Sequence, residues 1–428
     1  MNKFKYICNM NNDNYKYVCV MFPYPSGNGL HIGHYYNYAI MDSYCKYLRY
    51  KGEEVFQPFG YDAFGLPAEN YAKKVGRDVK DVTAENIGNF RTQMLEMKTD
   101  YEDVLITSSE EYQEFTQKVF NILKDRGLAY ESDGAVNYCN SCETVLAREQ
   151  VVDNKCERCK SEIENKVLDK QWYFKITEYK DRLIKNLDHI DYPSSTINAQ
   201  RKWLEDQHDW CISRQRDWGC PIPEDTTDTM DTFVDSSFYY YVYCVMKGLK
   251  PKPVDVYVGG SEHACMHLIY ARFINMVLYD AGLVDYEEPF KKVVHQGMIL
   301  NDGVKMSKSI GNVVNPDEYD AGELRFYLMF IGHYFDGGSW DDSKIKGIQK
   351  FIRRFATWMN TEEGDEQIDT DAFETLVFNY TESFKFNKVV SSFMELINKN
   401  KNKRISQSDK DDLIQLLEIY IPNIKEKL

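Results

Sequence analysis

The chain has 428 residues and a net charge of −15, from 52 lysines and arginines against 67 aspartates and glutamates. Its hydrophobic content of 43% and charged content of 28% are ordinary globular values, which excludes a disordered or collagen-like chain. No membrane-length apolar run and no secretory signal is visible, so we expect a cytoplasmic protein of two to three domains with no membrane partner. The acidic balance argues against a generally basic nucleic-acid wrapper.

The start of the chain predicts a parallel α/β sheet. The apolar run 17–22 (YVCVMF) predicts a buried strand, and the turn 23–29 (PYPSGNG) ends it. Apolar and aromatic residues at helical spacing predict a helix from His34 to about Lys51, and 55–58 is a further strand candidate. Strand, turn, helix and strand in this order are typical of such a sheet.

Short runs around four cysteines interrupt this pattern between residues 119 and 173, and the spacing of apolar residues predicts a helix over 168–187. A second α/β half follows. Its predicted elements are, in order, a strand at 254–258, a helix at 263–278 and a strand at 293–300. From residue 344 onward the pattern predicts helices only.

The turn after the first strand ends in His31-Ile32-Gly33-His34, at the start of the predicted helix. A helix N-terminus offers unpaired N–H groups and a partial positive charge, which favour phosphate. Two imidazoles on the same side are suited to bind phosphate oxygens, and Gly33 allows a nucleotide to approach the backbone. The alternative is a pair of ordinary capping or surface histidines.

A second signature, Lys305-Met306-Ser307-Lys308-Ser309, lies on a loop between Gly303 and Gly311. Two lysines on a glycine-bounded loop predict a mobile positive clamp, which suits the charge that develops on a departing pyrophosphate. A solvated surface loop is the alternative interpretation of two lysines at this spacing.

The eleven cysteines, without a secretory signal, predict reduced thiols rather than a disulfide framework. Seven are scattered, mostly in apolar sequence, and are expected to be packing residues. The other four form two Cys-x-x-Cys pairs separated by thirteen residues: Cys139, Cys142, Cys156 and Cys159. Two such pairs this close together rarely arise by chance.

The histidine and lysine signatures together resemble the HIGH and KMSKS sequences of class I aminoacyl-tRNA synthetases, which bracket a split Rossmann domain. Further segments are similar to leucyl-tRNA synthetases in particular, in chain order from about residue 18 to about 345. These segments are 21–27, 61–69, 213–219, 228–240, 257–267, 297–300 and 311–316.

The resemblance implies an α/β protein, in which a split Rossmann-type catalytic domain with a parallel sheet has a small zinc-ribbon insertion and a C-terminal helical bundle. The implied segments are 1–130 (first catalytic half), 131–172 (zinc ribbon), 173–300 (second catalytic half), 301–343 (KMSKS loop and stem-contact region) and 344–428 (shortened tRNA-binding, anticodon-binding-like bundle). In the zinc ribbon, four thiolates would bind a structural Zn²⁺ and leave no open position for catalysis. Redox chemistry at either cysteine pair is the alternative.

The family's mechanism implies that a leucine carboxylate attacks the α-phosphate of ATP, with Mg²⁺ sharing the charge, to give leucyl-adenylate and pyrophosphate. The implied catalytic residues are His31, His34, Lys305 and Lys308. The implied ATP-binding residues are His31, Gly33, His34, Gly259, Gly260, Glu262, Met298, Lys305 and Lys308.

The same match implies an amino-acid site in which Asp62 and the Phe22 backbone hold the ammonium group. The implied residues of this site are Phe22, Tyr24, Asp62, Phe233, Ser236, Tyr239, Tyr257, His263 and His267. An aromatic pocket suits a branched aliphatic side chain, but it discriminates single methylene groups by only about 1–3 kcal/mol.

Two departures from the family pattern affect the implied function. The segment that precedes the family's editing domain ends at Leu204, and the segment that follows it begins at Trp210, so the editing insertion is missing. The family's terminal tRNA-binding domain has no counterpart after the shortened bundle. Lys399, Lys401, Lys403 and Arg404 form a basic run that is either a phosphate contact for tRNA or a solvated loop.

These observations favour a leucine–tRNA ligase that acts on tRNA(Leu) without post-transfer editing. One alternative is a synthetase-like paralogue that passes the aminoacyl group to a carrier protein, a peptide or a small amine. A non-catalytic binding or regulatory descendant is the third interpretation.

Overall fold

The computed structural model describes residues 14–27, 29–146, 150–156, 159–223, 227–306 and 311–428. These residues form two compact units. The first unit contains the described residues of Met1–Gly27, Pro58–Ile87 and Asp103–Val294. The second contains those of Asn28–Gln57, Gly88–Glu102 and His295–Leu428.

Helices and strands alternate through most of the chain, and helices alone follow the last strand. The helices are α1 (Ile32–Tyr50), α2 (Leu66–Val75), α3 (Val79–Glu96), α4 (Glu110–Asp125), α5 (Lys180–Asn186), α6 (Ser194–Glu205), α7 (Thr232–Ser236), α8 (Tyr239–Met246), α9 (His267–Asp280), α10 (Ala321–Phe330), α11 (Asp342–Met359), α12 (Thr370–Glu382), α13 (Phe386–Asn400) and α14 (Gln407–Glu418). The prediction of a helical C-terminal region is confirmed. Within the described ranges, no helix has the length and apolarity needed to cross a bilayer.

The strands are mostly short, except for two long ones that pair with each other. They are β1 (Lys16–Val20), β2 (Val55–Phe56), β3 (Pro58–Tyr61), β4 (Glu102–Ile106), β5 (Ala129–Cys139), β6 (Thr144–Leu146), β7 (Val151–Val152), β8 (Lys155–Cys156), β9 (Glu164–Phe174), β10 (Trp210–Cys211), β11 (Ser213–Arg214), β12 (Thr229–Met230), β13 (Val256–Val258), β14 (Val293–Val294), β15 (Met298–Asn301), β16 (Val304–Lys305) and β17 (Gly337–Ser339).

The parallel sheet of the first unit contains β1, β13 and β14. β1 pairs in parallel with β13, with Val18 opposite Val256, and β13 pairs in parallel with β14. Four successive residues of β1 are buried, as expected for a strand whose two faces are both covered. The predicted parallel α/β sheet is therefore confirmed. Phe22 and Gly259 follow these strands at their carboxyl ends, where open parallel sheets usually bind ligands.

The helix predicted over 168–187 is wrong in its first part. Residues up to Phe174 belong to β9, which pairs with β5 so that Trp172 lies opposite Glu131. Helical backbone begins only at Ile176, first as a 3₁₀ turn and then as α5. The apolar spacing in this segment fits a helix as well as a strand, and pairing with a distant strand decides between them.

The strand predicted over 293–300 is in fact two strands. β14 belongs to the parallel sheet of the first unit, whereas β15 pairs with β16 and β17 in the second unit. The two strands are separated by a short segment that contains Gly297. The N–H of Gly297 donates to the Tyr334 carbonyl at 2.8 Å. A Cβ at Gly297 would overlap the backbone of Gly337, so this close approach requires glycine.

α1 is buried along most of its length in the second unit, where it packs against α10. Asp42 on α1 and Arg325 on α10 form a fully buried ion pair with an Oδ2–Nη2 distance of 2.7 Å. Lys46 and the N–H of Asp100 also donate to this carboxylate, each at 2.7 Å. Because the buried charges are so well partnered, loss of one of them would leave a costly unpaired charge.

Candidate active site

The His31–His34 turn lies at the N-terminus of α1, as predicted. His31 is the N-cap residue, and its Nδ1 accepts a hydrogen bond from the N–H of Gly33 at 3.0 Å. Nδ1 of His34 accepts from the N–H of His31 at 3.2 Å, which completes a reciprocal capping box. A Cβ at Gly33 would lie 2.9 Å from the His31 ring, so this glycine also makes room for the cap.

The capping box determines the tautomer of both neutral rings. An imidazole whose Nδ1 accepts a hydrogen bond carries its proton on Nε2. Both histidines are therefore Nε2–H donors, at a helix end that carries a partial positive charge. The capping box itself uses the N–H groups of His31 and Gly33. This donor set matches an anion such as phosphate.

Lys305, which the sequence predicts to lie on the lysine loop, is instead the last residue of β16. β15 and β16 are joined by an Asp-Gly turn with φ values of +52° and +75°, the positive pair of a type I′ hairpin. Nδ2 of Asn301 donates to the carbonyl of Asn312 at 2.9 Å, which ties the two ends of the loop together. Lys308 and the side chain of Lys305 lie outside the described residues, so their contact with pyrophosphate stays a prediction.

The other residues predicted to bind ATP are divided between the two units. Gly259 and Gly260 follow β13 in the first unit. A Cβ at Gly259 would overlap the Met21 sulfur, and a Cβ at Gly260 would overlap the Glu262 carboxylate. Glycine therefore keeps this turn narrow. Met298 begins β15 in the second unit and is 53% exposed.

Tyr239, Tyr257 and His267 form a buried chain of hydrogen bonds in the first unit. The two tyrosine hydroxyls bond each other, and the Tyr257 hydroxyl lies 2.5 Å from Nε2 of His267. The ring of Phe22 stacks on that of Tyr239 with centroids 3.9 Å apart. Four residues of the predicted amino-acid site thus come together from distant parts of the chain.

Asp62 is a buried carboxylate next to the segment that follows Phe22. Its N–H donates to the Pro23 carbonyl at 3.0 Å, and the Thr232 hydroxyl donates to its Oδ1 at 3.1 Å. A second carboxyl group, that of Asp235, is fully buried, and this burial together with the charge of Asp62 raises the pKa of Asp235 well above its usual range. Burial therefore favours the uncharged form of the Asp235 carboxyl group, and Asp62 remains the carboxylate that is predicted to bind the ammonium group.

The remaining predicted pocket residues lie on neighbouring segments of the first unit. Phe233 and Ser236 are buried on α7, where the Ser236 hydroxyl donates to the Phe233 carbonyl at 3.4 Å. His263 lies in a 3₁₀ turn before α9, with its ring centroid 6.2 Å from that of His267. Tyr24 is partly exposed in the turn after β1.

Two ion pairs in the first unit, one buried and one partly buried, are additions to the predicted site. Arg214 and Asp231 pair at 2.5 Å, and Arg216 pairs with Glu69. Both arginines line a cavity that extends to Thr232, the residue that bonds the Asp62 carboxylate. The segments that carry these charges are family-like in the sequence, but spacing alone does not reveal which charges pair.

The four cysteines of the two pairs converge as predicted. Their sulfur atoms all lie within 4.8 Å of one another. A tetrahedral site with Zn–S bonds of about 2.3 Å needs sulfur separations of about 3.8 Å, so the four atoms fit a zinc ion. Burial opposes ionisation, but hydrogen bonds from Ser161 and from neighbouring thiols lower the pKa of Cys159 to about 6, which favours the thiolate that a metal binds.

We expect His267 to make the stability of the first unit dependent on pH. Burial, with a contribution from His263, lowers the pKa of His267 to about 3, below the roughly 6.5 of an unfolded histidine. Between these values the unfolded chain binds a proton that the folded chain does not. We therefore expect the free energy of unfolding to fall as the pH drops below about 6.5, by up to about 1.4 kcal/mol per pH unit.

Urea denaturation at pH 7, 6 and 5 checks this expectation against the variant His267→Gln. The decline with falling pH should be shallower in the variant, because glutamine does not titrate. Equal declines in both proteins would contradict a role for His267.

Two protein-family models match this chain, and two solved structures have a similar fold. The family model described as "tRNA synthetases class I (I, L, M and V)" matches residues 1–237, and the one described as "tRNA synthetases class I (M)" matches residues 146–348. Among solved structures, the Agrobacterium radiobacter K84 agnB2 LeuRS in a ternary complex with tRNA and LeuAMS has a TM-score of 0.87 at 24% identity, over 99% of this chain and 86% of that one. Methionyl-tRNA synthetase of Mycobacterium tuberculosis, bound by methionyl-adenylate, has a TM-score of 0.76 at 18% identity, over 96% of this chain and 93% of that one.

Curated relatives carry the name leucine–tRNA ligase. That of Clostridium botulinum strain Langeland is 30% identical, over 80% of this chain and 74% of its own length. That of Caldanaerobacter subterraneus is 29% identical, over 98% of this chain and 86% of its own length. The chain belongs to the leucine–tRNA ligase family of class I aminoacyl-tRNA synthetases, and it is an aminoacyl-tRNA ligase.

Proposed function

We propose that the protein activates leucine with ATP and transfers it to the 3′ end of tRNA(Leu), without post-transfer editing. The observation that supports leucine most directly is the buried site of the first unit. There, Asp62 is a buried carboxylate whose N–H donates to the Pro23 carbonyl. In the same unit Phe22, Tyr239, Tyr257 and neutral His267 form a buried cluster of rings. A charged group for the ammonium and an apolar pocket for the side chain suit a branched aliphatic amino acid.

The proposed activation step forms leucyl-adenylate. The leucine carboxylate attacks the α-phosphorus, the bond to the bridging oxygen breaks, and pyrophosphate leaves with the electron pair. His31 and His34 would donate Nε2–H to the phosphates, while Lys305 and Lys308 would stabilise the departing charge, with Mg²⁺ neutralising part of it. In the second step a terminal tRNA hydroxyl attacks the leucyl carbonyl and AMP is released.

Two assays in sequence test this function. ATP–pyrophosphate exchange across the twenty amino acids should show the highest kcat/KM for leucine. Charging of total tRNA with leucine should follow. Exchange without charging would contradict the tRNA acceptor and favour transfer to a carrier protein, a peptide or a small amine. No exchange with any amino acid would contradict the activation chemistry itself.

The absence of editing rests on how α6 connects to β10. Only Asp206–Asp209 lie between Glu205 at the end of α6 and Trp210 at the start of β10. The alignment with the Clostridium perfringens leucine–tRNA ligase covers 695 positions, which exceeds the 428 residues of this chain by 267. The relative thus has a large amount of sequence within the matched region that this chain does not have.

We accordingly expect isoleucine, methionine and norvaline to be activated and retained on tRNA. A methylene difference changes binding by only about 1–3 kcal/mol, so the synthetic site alone discriminates by roughly 10- to 200-fold. The measurement is deacylation of isoleucyl-tRNA by the purified protein, which should proceed no faster than in buffer. Rapid enzymatic deacylation would contradict this prediction.

Contact with tRNA phosphates is best supported on α11. Lys346, Lys350 and Arg353 are exposed and spaced by four and three residues, so they form one basic stripe along the helix. None of the three has an acidic partner among the described residues. The basic run near the end of α13 is less available, because Lys403 donates to the Gln367 carbonyl and Arg404 pairs with Glu362 at 2.9 Å.

Reversing two charges of this stripe should weaken tRNA binding selectively. We expect Lys346→Glu combined with Lys350→Glu to raise the KM for tRNA by on the order of tenfold and to reduce its salt dependence, because phosphate contacts release counterions. The KM for leucine in pyrophosphate exchange should not change. Lys118→Glu on α4 is a control for a reversed lysine charge in the first unit, at a partly exposed position that pairs with Glu114 at 3.7 Å. An equal rise in that variant would contradict the proposed surface.

A further inference from the structure

One side-chain amide in the second unit joins the two segments that flank the catalytic signatures. Gln93 lies on α3 and is 7% exposed. Its Oε1 accepts a hydrogen bond from the N–H of Leu30 at 2.6 Å, and its Nε2 donates to Oδ1 of Asp317 at 3.0 Å. Leu30 directly precedes His31, and Asp317 lies in the 3₁₀ turn that follows the lysine loop.

Both bonds depend on the chemistry of an amide. Glutamine presents one acceptor and one donor on the same rigid group, and each is directed at a different segment. Gly29 brings the chain close to this group with a φ of +105°, and a Cβ there would lie 3.1 Å from both amide atoms. A carboxylate at position 93 would still accept from Leu30, but it would lose the bond to Asp317 and repel it.

Each bond fixes a segment whose position matters for the chemistry. The N–H of Leu30 belongs to the residue before the N-cap, so this bond holds the backbone that leads into the His31–His34 capping box. Asp317 is held in turn by Asn315, whose Oδ1 accepts from its N–H at 3.2 Å. A misplacement of reacting groups by about 1 Å costs roughly a hundredfold in rate.

We propose that Gln93 is a positioning residue for leucine activation, which holds the histidine turn and the segment after the lysine loop in fixed register. The proposal rests on the activation chemistry proposed above. Gln93 acts through Leu30 and Asp317, and it is not assigned a contact with ATP.

Exchanging the donor and the acceptor in the hydrogen bond between Gln93 and Asp317 tests the proposal. Gln93→Glu keeps the acceptor for Leu30 and removes the donor to Asp317. We expect kcat for pyrophosphate exchange to fall about 10- to 100-fold, with the KM for leucine within about twofold, because the leucine site lies in the first unit. Asp317→Asn alone should retain most activity, since its side-chain oxygen still accepts from Gln93.

The double variant Gln93→Glu with Asp317→Asn is the decisive protein. The amide introduced at position 317 can donate to the carboxylate at position 93, so kcat should return to within about threefold of Asp317→Asn alone. A merely structural role would not predict this recovery. Unchanged activity in Gln93→Glu, or no recovery in the double variant despite equal melting temperatures, would overturn the proposal.

Failure of the ligase activity would be recognised separately. Exchange by the unsubstituted protein is measured first, and its absence would count against leucine activation. ATP affinity, measured by calorimetry without amino acid, gives a second readout that does not need turnover. It should weaken in Gln93→Glu and recover in the double variant, and an affinity equal in all four proteins would overturn the role of Gln93 in holding the histidine turn.

Discussion

Replacement of Asp62 by asparagine should abolish most leucine activation while leaving the fold intact. The asparagine side chain would keep the acceptor oxygen to which the Thr232 hydroxyl donates, so the local geometry survives the change. The buried negative charge that pairs with the substrate ammonium is lost. A buried charge pair broken on one side costs about 3–5 kcal/mol, so kcat/KM for leucine should fall by roughly 10²- to 10⁴-fold.

Asp235→Asn is the matched control for this experiment. It removes a carboxyl group of the same size, nearby on α7, whose pKa is raised well above its usual range by burial. Oδ1 of Asp235 accepts from the Thr116 hydroxyl at 2.9 Å, and an asparagine oxygen can do the same. Pyrophosphate exchange should therefore stay within a few-fold of the unsubstituted protein. Equal losses in the two variants would contradict the assignment of the ammonium-binding charge to Asp62.

The Asp235→Asn variant also allows a prediction about the melting temperature at pH 7. The pKa of Asp235 is raised in the folded state, so the folded chain keeps a proton that the unfolded chain loses as the pH rises above about 4. At neutral pH this difference favours unfolding. Asp235→Asn removes it, and its melting temperature at pH 7 should be no lower than that of the unsubstituted protein.

We expect the four-cysteine cluster to bind a structural zinc ion, and we expect removal of that ion to unfold the ribbon formed by β5 to β9. Among the described residues of the ribbon, the local core around the four sulfurs consists of little more than Leu146, Val151 and Ile163. Metal binding provides about 10–16 kcal/mol in small zinc modules, far more than so few apolar contacts contribute. We expect one zinc per chain, and we expect chelation to expose the ribbon to protease.

Cys139→Ser and Cys211→Ser separate the metal effect from the loss of any thiol. Cys139 is a fully buried member of the sulfur cluster, whereas Cys211 lies on β10 outside it. Zinc content, measured by elemental analysis, should fall well below one per chain in Cys139→Ser only, and limited proteolysis should cut that variant within 131–172. Full zinc content in Cys139→Ser, or a disulfide within the cluster under reducing conditions, would favour redox chemistry instead.

The sequence determined those features in which local chemistry leaves few choices. Apolar runs ended by Pro and Gly predicted β1 and α1, because such residues break regular structure wherever they occur. The His31–His34 and cysteine motifs predicted their sites because the residues that act together are close in the chain. The resemblance to a known family then supplied roles for residues that spacing could not connect.

Tertiary structure decided the features that depend on long-range pairing. The segment ending at Phe174 became a strand because β5 was available to pair with it, and Gly297 divided a predicted strand between two sheets because a second backbone passes there. The same holds for Gln93, which nothing in the sequence singled out. Its amide is functional only because folding brings Leu30 and Asp317, 63 residues before and 224 after it, within hydrogen-bond distance of one side chain.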